Sequence, residues 1–220
     1  LHDALPIFLV GDFMYSRAFQ LMVKTKNIRI CEIVSGAVNR VSEGEVIQLL
    51  NIHDTTVDEK RYFEVIERKT GVLFEAAARM GATIGGATKE EEEKLTQYAL
   101  ALGTAFQIID DVLDYRGDEE KTGKALGADL REGKMTMPLI YALRKCSDEE
   151  AKEIKEAVKQ GEGDLNSITR ILEETGAIEE CAITAKQIVS SGIDAISFLK
   201  PSLYKESLVK LLSLTVERDL

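Results

Sequence analysis

Residues Gly103–Asp114 read GTAFQIIDDVLD and set three aspartates among apolar side chains. Asp110 and Asp114 are four residues apart, so in an α-helix they lie on one face, about 6 Å apart along the axis. Asp111 is rotated by about 100° from Asp110. The stretch lacks the strict alternation of apolar and polar residues that is typical of a half-buried strand. It therefore predicts an otherwise apolar helix that carries three carboxylates.

The helical period continues on both sides of this stretch, and no convincing alternating strand appears. Thr88 with Glu91 has the spacing of a capping box, and Asp58 is a candidate N-cap. The predicted helices are Asp12–Val23, Ile28–Leu50, Glu59–Gly81, Thr88–Tyr115, Asp148–Gln160, Asp164–Glu174, Ile178–Leu199 and Leu203–Arg218, with Pro138 in the first turn of a further helix. Because no repeat or linker interrupts the pattern, we predict one all-α domain.

Gly117–Met135 is predicted to be a polar loop rich in glycine, aspartate and lysine. A loop of about 19 residues is unusual inside a compact domain unless it is functional. It follows the three aspartates directly and contains Lys124 and Lys134. Lysines in a loop are ordinarily just solvated, so their position beside the acids makes them candidate anion ligands and no more.

The composition is typical of a globular helical protein. Of 220 residues, 45% are hydrophobic and 30% are charged, with 3 prolines and no tryptophan, a mixture that favours helices over disorder. The net charge of −10 repels nucleic-acid phosphates, and no basic stripe offsets it. We therefore expect no nucleic-acid partner. An anionic substrate would need a locally cationic or metal-filled site.

Cysteine use indicates a reducing compartment. Cys31, Cys146 and Cys181 are far apart, without the Cys/His cluster that would predict a zinc site. An odd count without a disulfide framework favours the cytoplasm. No apolar run approaches the ~20 residues that span a membrane, so no transmembrane segment is expected.

The first seven residues, LHDALPI, do not match the remainder of the chain, which has no initiator Met. We interpret residues 1–7 as a non-native scar of assembly or sequencing and exclude them from the fold. Residues 8–220 are then predicted to be the domain itself.

The three aspartates suit a metal–diphosphate bridge. Carboxylates this close in an apolar helix repel each other and resist desolvation. A divalent cation removes both problems, and Mg²⁺ typically binds one or two carboxylates together with substrate phosphates. An EF-hand is excluded because the acids do not stand at alternate positions. Spacing alone leaves open the commoner role of such acids, a solvated helix face.

Further polar residues strengthen the interpretation of an anion site. Lys69 and Thr70 lie in the middle of an apolar helix, flanked by Ile66 and Val72. Gln107 lies one turn before Asp111, where it can reach a phosphate oxygen or metal-bound water. An ordinary hydrogen bond within the helix is the alternative for Gln107.

Five runs, taken in order, resemble the trans-isoprenyl diphosphate synthases, and are most similar to the octaprenyl and polyprenyl branch that supplies quinone side chains. The runs are LVGDFMYSRAFQLM (Leu9–Met22), EGEVIQL (Glu43–Leu49), ERKTGVLFEAAARMGA (Glu67–Ala82), GTAFQIIDDVLD (Gly103–Asp114) and GKALGADLREGK (Gly123–Lys134). The resemblance covers about residues 8–219. Its specificity lies in the ordered combination, because the DDxxD string alone would be weak.

The resemblance implies an all-α helical bundle of the isoprenoid synthase type and assigns roles to matching residues. Asp110, Asp111 and Asp114 resemble the second aspartate-rich motif, which holds Mg²⁺, with Asp110 as the most direct ligand. Lysines that contact the allylic diphosphate are matched by Lys69 and Lys124, which are the implied catalytic residues. The implied substrate-binding set is Lys69, Thr70, Gln107, Lys124 and Lys134.

The implied reaction condenses isopentenyl diphosphate onto an allylic prenyl diphosphate to build a long polyprenyl diphosphate. The family's first aspartate-rich motif, which should precede Leu9, does not occur in the sequence. We therefore expect that the first helices of the bundle are missing and that this fragment is inactive alone. The resemblance further implies a homodimer. We also expect a cytoplasmic location and release of the product at a membrane surface.

Three alternatives to a synthase remain open on the sequence alone. A non-catalytic subunit of a heteromeric prenyl diphosphate synthase would resemble the family but lose its aspartate motifs, whereas Asp110, Asp111 and Asp114 are all present. A class I terpene cyclase shares the fold, but the Lys69–Thr70 pair fits a synthase better. A structural helical protein with an acidic patch does not account for five ordered motifs.

Overall fold

The computed structural model describes residues 5–116 and 126–217, and every regular element in these two ranges is a helix. The prediction of an all-α fold is therefore confirmed. In chain order the helices are α1 (Leu5–Lys24), α2 (Ile28–Asn51), α3 (Glu59–Ile66), a π-helix π1 (Glu67–Gly71), α4 (Val72–Gly85), α5 (Lys89–Arg116), α6 (Ala128–Arg131), α7 (Met137–Ala142), α8 (Asp148–Gln160), α9 (Leu165–Glu174), α10 (Ala177–Ala195) and α11 (Leu203–Val216).

The helix starts that were predicted from capping residues are confirmed. Before α5, the backbone N–H of Thr88 donates to Glu91 at 2.7 Å, and the N–H of Glu91 donates to the Thr88 hydroxyl at 3.3 Å. Before α3, Asp58 accepts from the backbone N–H of Arg61 at 2.9 Å. These side chains satisfy donors that have no partner inside the first turn of a helix.

The core forms around α5, whose apolar side chains are buried against α4 on one side and α10 on another. Ala105, Ile108, Ile109 and Val112 are completely buried. The acid-bearing stretch is thus the central helix of the domain. Burial on this scale fixes the direction of the aspartates, since α5 cannot rotate without exposing the apolar residues between them.

The prediction of one continuous helix over Glu59–Gly81 is wrong. The segment is divided into α3, π1 and α4, and α4 continues to Gly85. A π-helix closes i→i+5 hydrogen bonds and is frequent at functional sites. A π-helical turn holds about one residue more than an α-helical turn. It needs no particular residue types, so the apolar pattern of the sequence does not reveal it.

A close helix contact holds π1 against α5. A Cβ atom placed on Gly103 would lie 2.8 Å from Cα of Gly71 and 3.0 Å from the ring of Phe74. Only glycine permits this approach, because any larger residue at position 103 would push the two backbones apart. The contact positions Lys69 and Thr70 of π1 beside the acidic stretch of α5.

The predicted loop Gly117–Met135 is not entirely a loop. Its described part contains the short helix α6, which begins after Gly127. Residues 117–125 of the predicted loop lie outside the described ranges, and so does Lys124.

The N-terminal helix α1 is largely exposed and packs against α2. Met22 is its buried residue, whereas Phe8 and Phe13 are exposed. The described helices include none that is long and apolar enough to cross a membrane. The interpretation of residues 1–7 as a scar stays a prediction, and α1 begins within them at Leu5.

Candidate active site

A cavity of about 630 Å³ lies between α2, α3, π1, α5 and the segment 126–136. Its wall contains every predicted site residue in the described part of the chain: Lys69, Thr70, Gln107, Asp110, Asp111, Asp114 and Lys134. Lys124 lies outside the described residues. Apolar side chains complete one side of the cavity: Ile52, Val57, Val65, Ile66, Leu113 and Met135. Predicted site residues that are up to 65 positions apart in sequence, from Lys69 to Lys134, therefore meet around one space.

Asp111 is the most buried carboxylate of the cavity, with 3% of its surface exposed. The Tyr62 hydroxyl donates to its Oδ2 at 2.7 Å, and Nε2 of Gln107 donates to its Oδ1 at 2.8 Å. Burial, reinforced by the negative charges of Asp129 and Asp110, raises the pKa of Asp111 to about 7, although both hydrogen bonds oppose the shift. Burial and the same carboxylate raise the pKa of Tyr62, which therefore stays a donor.

Asp114 lies at the C-terminal end of the three aspartates of α5 and contacts the backbone at the start of α6. Its oxygens accept hydrogen bonds from the backbone N–H groups of Ala128 at 3.1 Å and Asp129 at 2.9 Å. Burial raises the pKa of Asp114, and these backbone hydrogen bonds act in the other direction. Asp114 therefore ties the start of α6 to the end of α5.

The two described lysines of the cavity are paired with acidic or amide side chains. Nζ of Lys69 donates to Oε1 of Gln48 at 3.0 Å and lies 3.2 Å from Glu45. Nζ of Lys134 lies 2.8 Å from Asp129 and 2.7 Å from Glu132. Burial disfavours the charged ammonium of Lys134, but hydrogen bonds to these two carboxylates outweigh burial and raise its pKa. Lys134 is therefore held as a cation at the cavity.

The segment that carries Lys134 is fixed by His53. The backbone N–H of His53 donates to the carbonyl oxygen of Gly133 at 2.8 Å, and Nδ1 of the ring lies 2.9 Å from the carbonyl oxygen of Val158. Gly133 has a left-handed φ of 70°, and a Cβ there would overlap the His53 ring. Glycine is thus required at this contact on both counts.

Sequence reasoning missed six polar residues of the cavity wall: Gln48, Asn51, Tyr62, Asp129, Glu132 and Thr136. Asp129 and Glu132 lie inside the run GKALGADLREGK, whose acids were a usable signal beside its lysines. Tyr62 gave no signal, because an aromatic residue at helical spacing is typical of core. Gln48 is brought to Lys69 only by the packing of α2 against π1.

The donor set fits a magnesium ion that is shared with a phosphate ligand. In the ranges 5–116 and 126–217, no three His, Cys, Asp or Glu side chains are arranged to hold a metal ion by themselves. Mg²⁺ does not require such a cage, since it usually binds one or two carboxylates plus phosphate oxygens and water. Asp110 lines the cavity, and no described lysine or arginine forms an ion pair with it. Hard carboxylate oxygens on the wall of an open cavity match this mode of binding.

Comparison with solved structures defines the class as the all-α isoprenoid synthase fold. The polyprenyl synthase of Caulobacter crescentus, solved with calcium and isoprenyl diphosphate, superposes with a TM-score of 0.90 at 36% identity, over 96% of this chain and 65% of that one. The family model "Polyprenyl synthetase" matches residues 6–175. The chain belongs to the polyprenyl synthetase family, and the resemblance inferred from the five runs is confirmed.

Among curated relatives, the octaprenyl diphosphate synthase of Escherichia coli K12 is 42% identical over 213 residues, which are 96% of this chain and 66% of the relative. The all-trans-nonaprenyl-diphosphate synthase of Rhodobacter capsulatus is 37% identical over 96% of this chain and 65% of its own length. The chain thus spans about two thirds of the length of these relatives.

Proposed function

We propose that the protein is a prenyltransferase that condenses isopentenyl diphosphate onto an allylic prenyl diphosphate to build a long polyprenyl diphosphate for a quinone side chain. The observation that carries this proposal is that lysines, carboxylates and apolar side chains meet in one cavity of about 630 Å³. A ligand with a charged head and a hydrocarbon tail needs this combination. The octaprenyl and nonaprenyl synthases among the relatives support a long product.

The charged end of the cavity would bind the diphosphate. Lys69, Lys124 and Lys134 would contact its oxygens, with Thr70 and Gln107 beside them. On binding, Lys69 would leave its contacts with Gln48 and Glu45 and contact the diphosphate instead. A diphosphate carries more negative charge than one carboxylate, so it is the stronger partner for the ammonium group.

The three aspartates of α5 would hold magnesium at the same end. Asp110 is the most direct candidate ligand, and Asp111 and Asp114 complete the acidic wall. When bound, Mg²⁺ would supply positive charge that stabilises the diphosphate as a leaving group. The Caulobacter crescentus structure was solved with both calcium and isoprenyl diphosphate, which supports a role for a divalent ion in this proposal.

The chain's own residues would act on the leaving group and the cation. The allylic C–O bond breaks, and the electron pair leaves with the diphosphate, whose charge Lys69 and Lys124 stabilise. The double bond of isopentenyl diphosphate then forms the new carbon–carbon bond, and the resulting cation loses a proton. Val65, Ile66 and Leu113 keep water from the carbocation, which water would quench.

The proposed assembly is a homodimer in the cytoplasm that releases its product at a membrane surface. Exposed apolar residues on α1 and α2, including Phe13 and Leu50, support burial against a second subunit. Cys31, Cys146 and Cys181 form no disulfide with one another, which is consistent with a reducing compartment.

We expect the 220 residues alone to have little or no synthase turnover, because the first aspartate-rich motif of the family does not occur in them. Normal turnover by purified residues 1–220 would contradict this expectation. Binding of a diphosphate to the cavity can be tested separately, because it does not require turnover.

The direct test is calorimetric titration of farnesyl diphosphate, an allylic diphosphate, into the chain with Mg²⁺ present. Lys69→Gln should weaken binding by about tenfold, as expected for a lost charge-assisted contact. Lys94→Gln is the matched control, because Lys94 is similarly exposed and also pairs with a glutamate, but lies away from the cavity. Equal affinities for the two variants would refute the assignment of Lys69.

A further inference from the structure

Tyr62 directs a buried hydroxyl at the acidic wall of the cavity. The residue lies on α3 with 5% of its surface exposed, and its Oη is 2.7 Å from Oδ2 of Asp111 on α5. The hydrogen bond joins two helices across 49 positions of sequence. A buried tyrosine hydroxyl needs a hydrogen-bond partner, and a backbone carbonyl would satisfy it as well as the Asp111 carboxylate does. Tyr98, which is 4% exposed, donates to the carbonyl oxygen of Leu208 at 2.9 Å.

The hydrogen bond from Tyr62 is the first of three in a row. The other oxygen of Asp111 accepts from Nε2 of Gln107, and Oε1 of Gln107 accepts from the Thr70 hydroxyl at 3.2 Å. When it is ionised, the carboxylate of Asp111 only accepts, which orients the Gln107 amide with nitrogen toward Asp111 and oxygen toward Thr70. Residues from α3, α5 and π1 are therefore oriented together at the cavity wall.

We propose that Tyr62 is a positioning residue that orients the carboxylate of Asp111, and through it Gln107 and Thr70, for binding of a magnesium–diphosphate ligand. This inference rests on the proposed function of the cavity. Each oxygen of Asp111 has a second lone pair, so the two hydrogen bonds orient the carboxylate without excluding a cation. Outer-shell hydrogen bonds of this kind commonly change metal affinity by about 10–100-fold when removed.

The geometry distinguishes this role from simple filling of the core. Phenylalanine occupies the same space as tyrosine, so Tyr62→Phe keeps the packing of α3 and removes only the donor. One oxygen of Asp111 would then lack its protein partner inside a buried site. The carboxylate would be free to rotate, and the amide of Gln107 would lose its fixed orientation.

The test measures binding of inorganic pyrophosphate to the 220-residue chain by calorimetry as the Mg²⁺ concentration is varied. Tyr62→Phe should raise the Mg²⁺ concentration needed for half-maximal binding by about tenfold. Tyr98→Phe, which removes a hydrogen-bonded hydroxyl from a similarly buried residue away from the cavity, should leave that concentration unchanged. Thermal unfolding followed by circular dichroism should give similar, small decreases in Tm for both variants.

A double-mutant cycle with Asp111→Asn tests whether Tyr62 acts through Asp111. In the Asp111→Asn background, Tyr62→Phe should change the Mg²⁺ requirement by less than about twofold, because coupled residues are not additive. The inference is overturned if Tyr62→Phe matches Tyr98→Phe, or if its effect is the same in both backgrounds. Absence of any Mg²⁺-dependent pyrophosphate binding by the unsubstituted chain is a separate outcome, which would overturn the proposed function as well.

Discussion

Replacing Gly103 with alanine tests the contact that holds π1 against the central helix. The new methyl carbon would lie 2.8 Å from Cα of Gly71, whereas carbon atoms in good contact are about 3.5–4.0 Å apart. The overlap is therefore about 0.7 Å or more, and it falls on backbone that no rotamer change can move. The ring of Phe74, 3.0 Å away, blocks a shift in that direction.

Two opposing effects decide the size of the result. Alanine is favoured over glycine in a helix interior by up to about 1 kcal/mol. Overpacking of a well-packed contact costs about 1–3 kcal/mol. Because the overlap is with backbone, we expect the upper part of that range and a net loss of about 1–2 kcal/mol in the free energy of unfolding.

Urea unfolding followed by circular dichroism measures this loss, and Gly81→Ala is the matched control. Gly81 lies within α4, and a Cβ there meets nothing within 4 Å, so alanine should stabilise the protein by about 0.5–1 kcal/mol. The two Gly→Ala substitutions should thus have opposite signs. An increase in stability for Gly103→Ala comparable to that of Gly81→Ala would refute the close contact between π1 and α5.

Three further predictions concern the cap, the core and the exposed surface. Thr88→Ala removes the capping box of α5 and should cost about 1 kcal/mol in urea unfolding; no change would contradict the cap. Ile108→Ala, at a completely buried position, should cost about 2–5 kcal/mol, whereas Ile84→Ala at an exposed position should change stability by less than about 0.5 kcal/mol. Phe13→Asp on α1 should weaken self-association by about tenfold in analytical ultracentrifugation, whereas Tyr204→Asp on α11 should not; equal sedimentation of both variants would argue against α1 as the dimer surface.

Local patterns predicted the helices because their causes lie within a few residues. The capping box at Thr88 depends on residues three positions apart, and the apolar faces repeat at the helical period. The boundaries of α2 and α8 agree with the prediction to within one residue. Local patterns did not predict the π-helix at Glu67–Gly71, because its close contact is with Gly103 on another helix.

The candidate site was predictable in its residue types but not in its pairing. The acids of α5 stood out because charges are rare in an apolar helix. Their different environments did not follow from spacing. Asp111 accepts hydrogen bonds from Tyr62 and Gln107, whereas Asp114 accepts them from the backbone at the start of α6. Such partners are set by tertiary packing, and a single sequence records them only as separate residues.

The central claim is that the cavity binds a diphosphate together with magnesium. The measurement that tests it most directly is calorimetric titration of inorganic pyrophosphate into the chain, with and without Mg²⁺, and again with Asp110→Asn. We predict binding that requires Mg²⁺ and that weakens by about tenfold or more in the variant, since Asp110 is the candidate direct ligand. Binding that is indifferent both to Mg²⁺ and to the loss of the Asp110 carboxylate would contradict the claim.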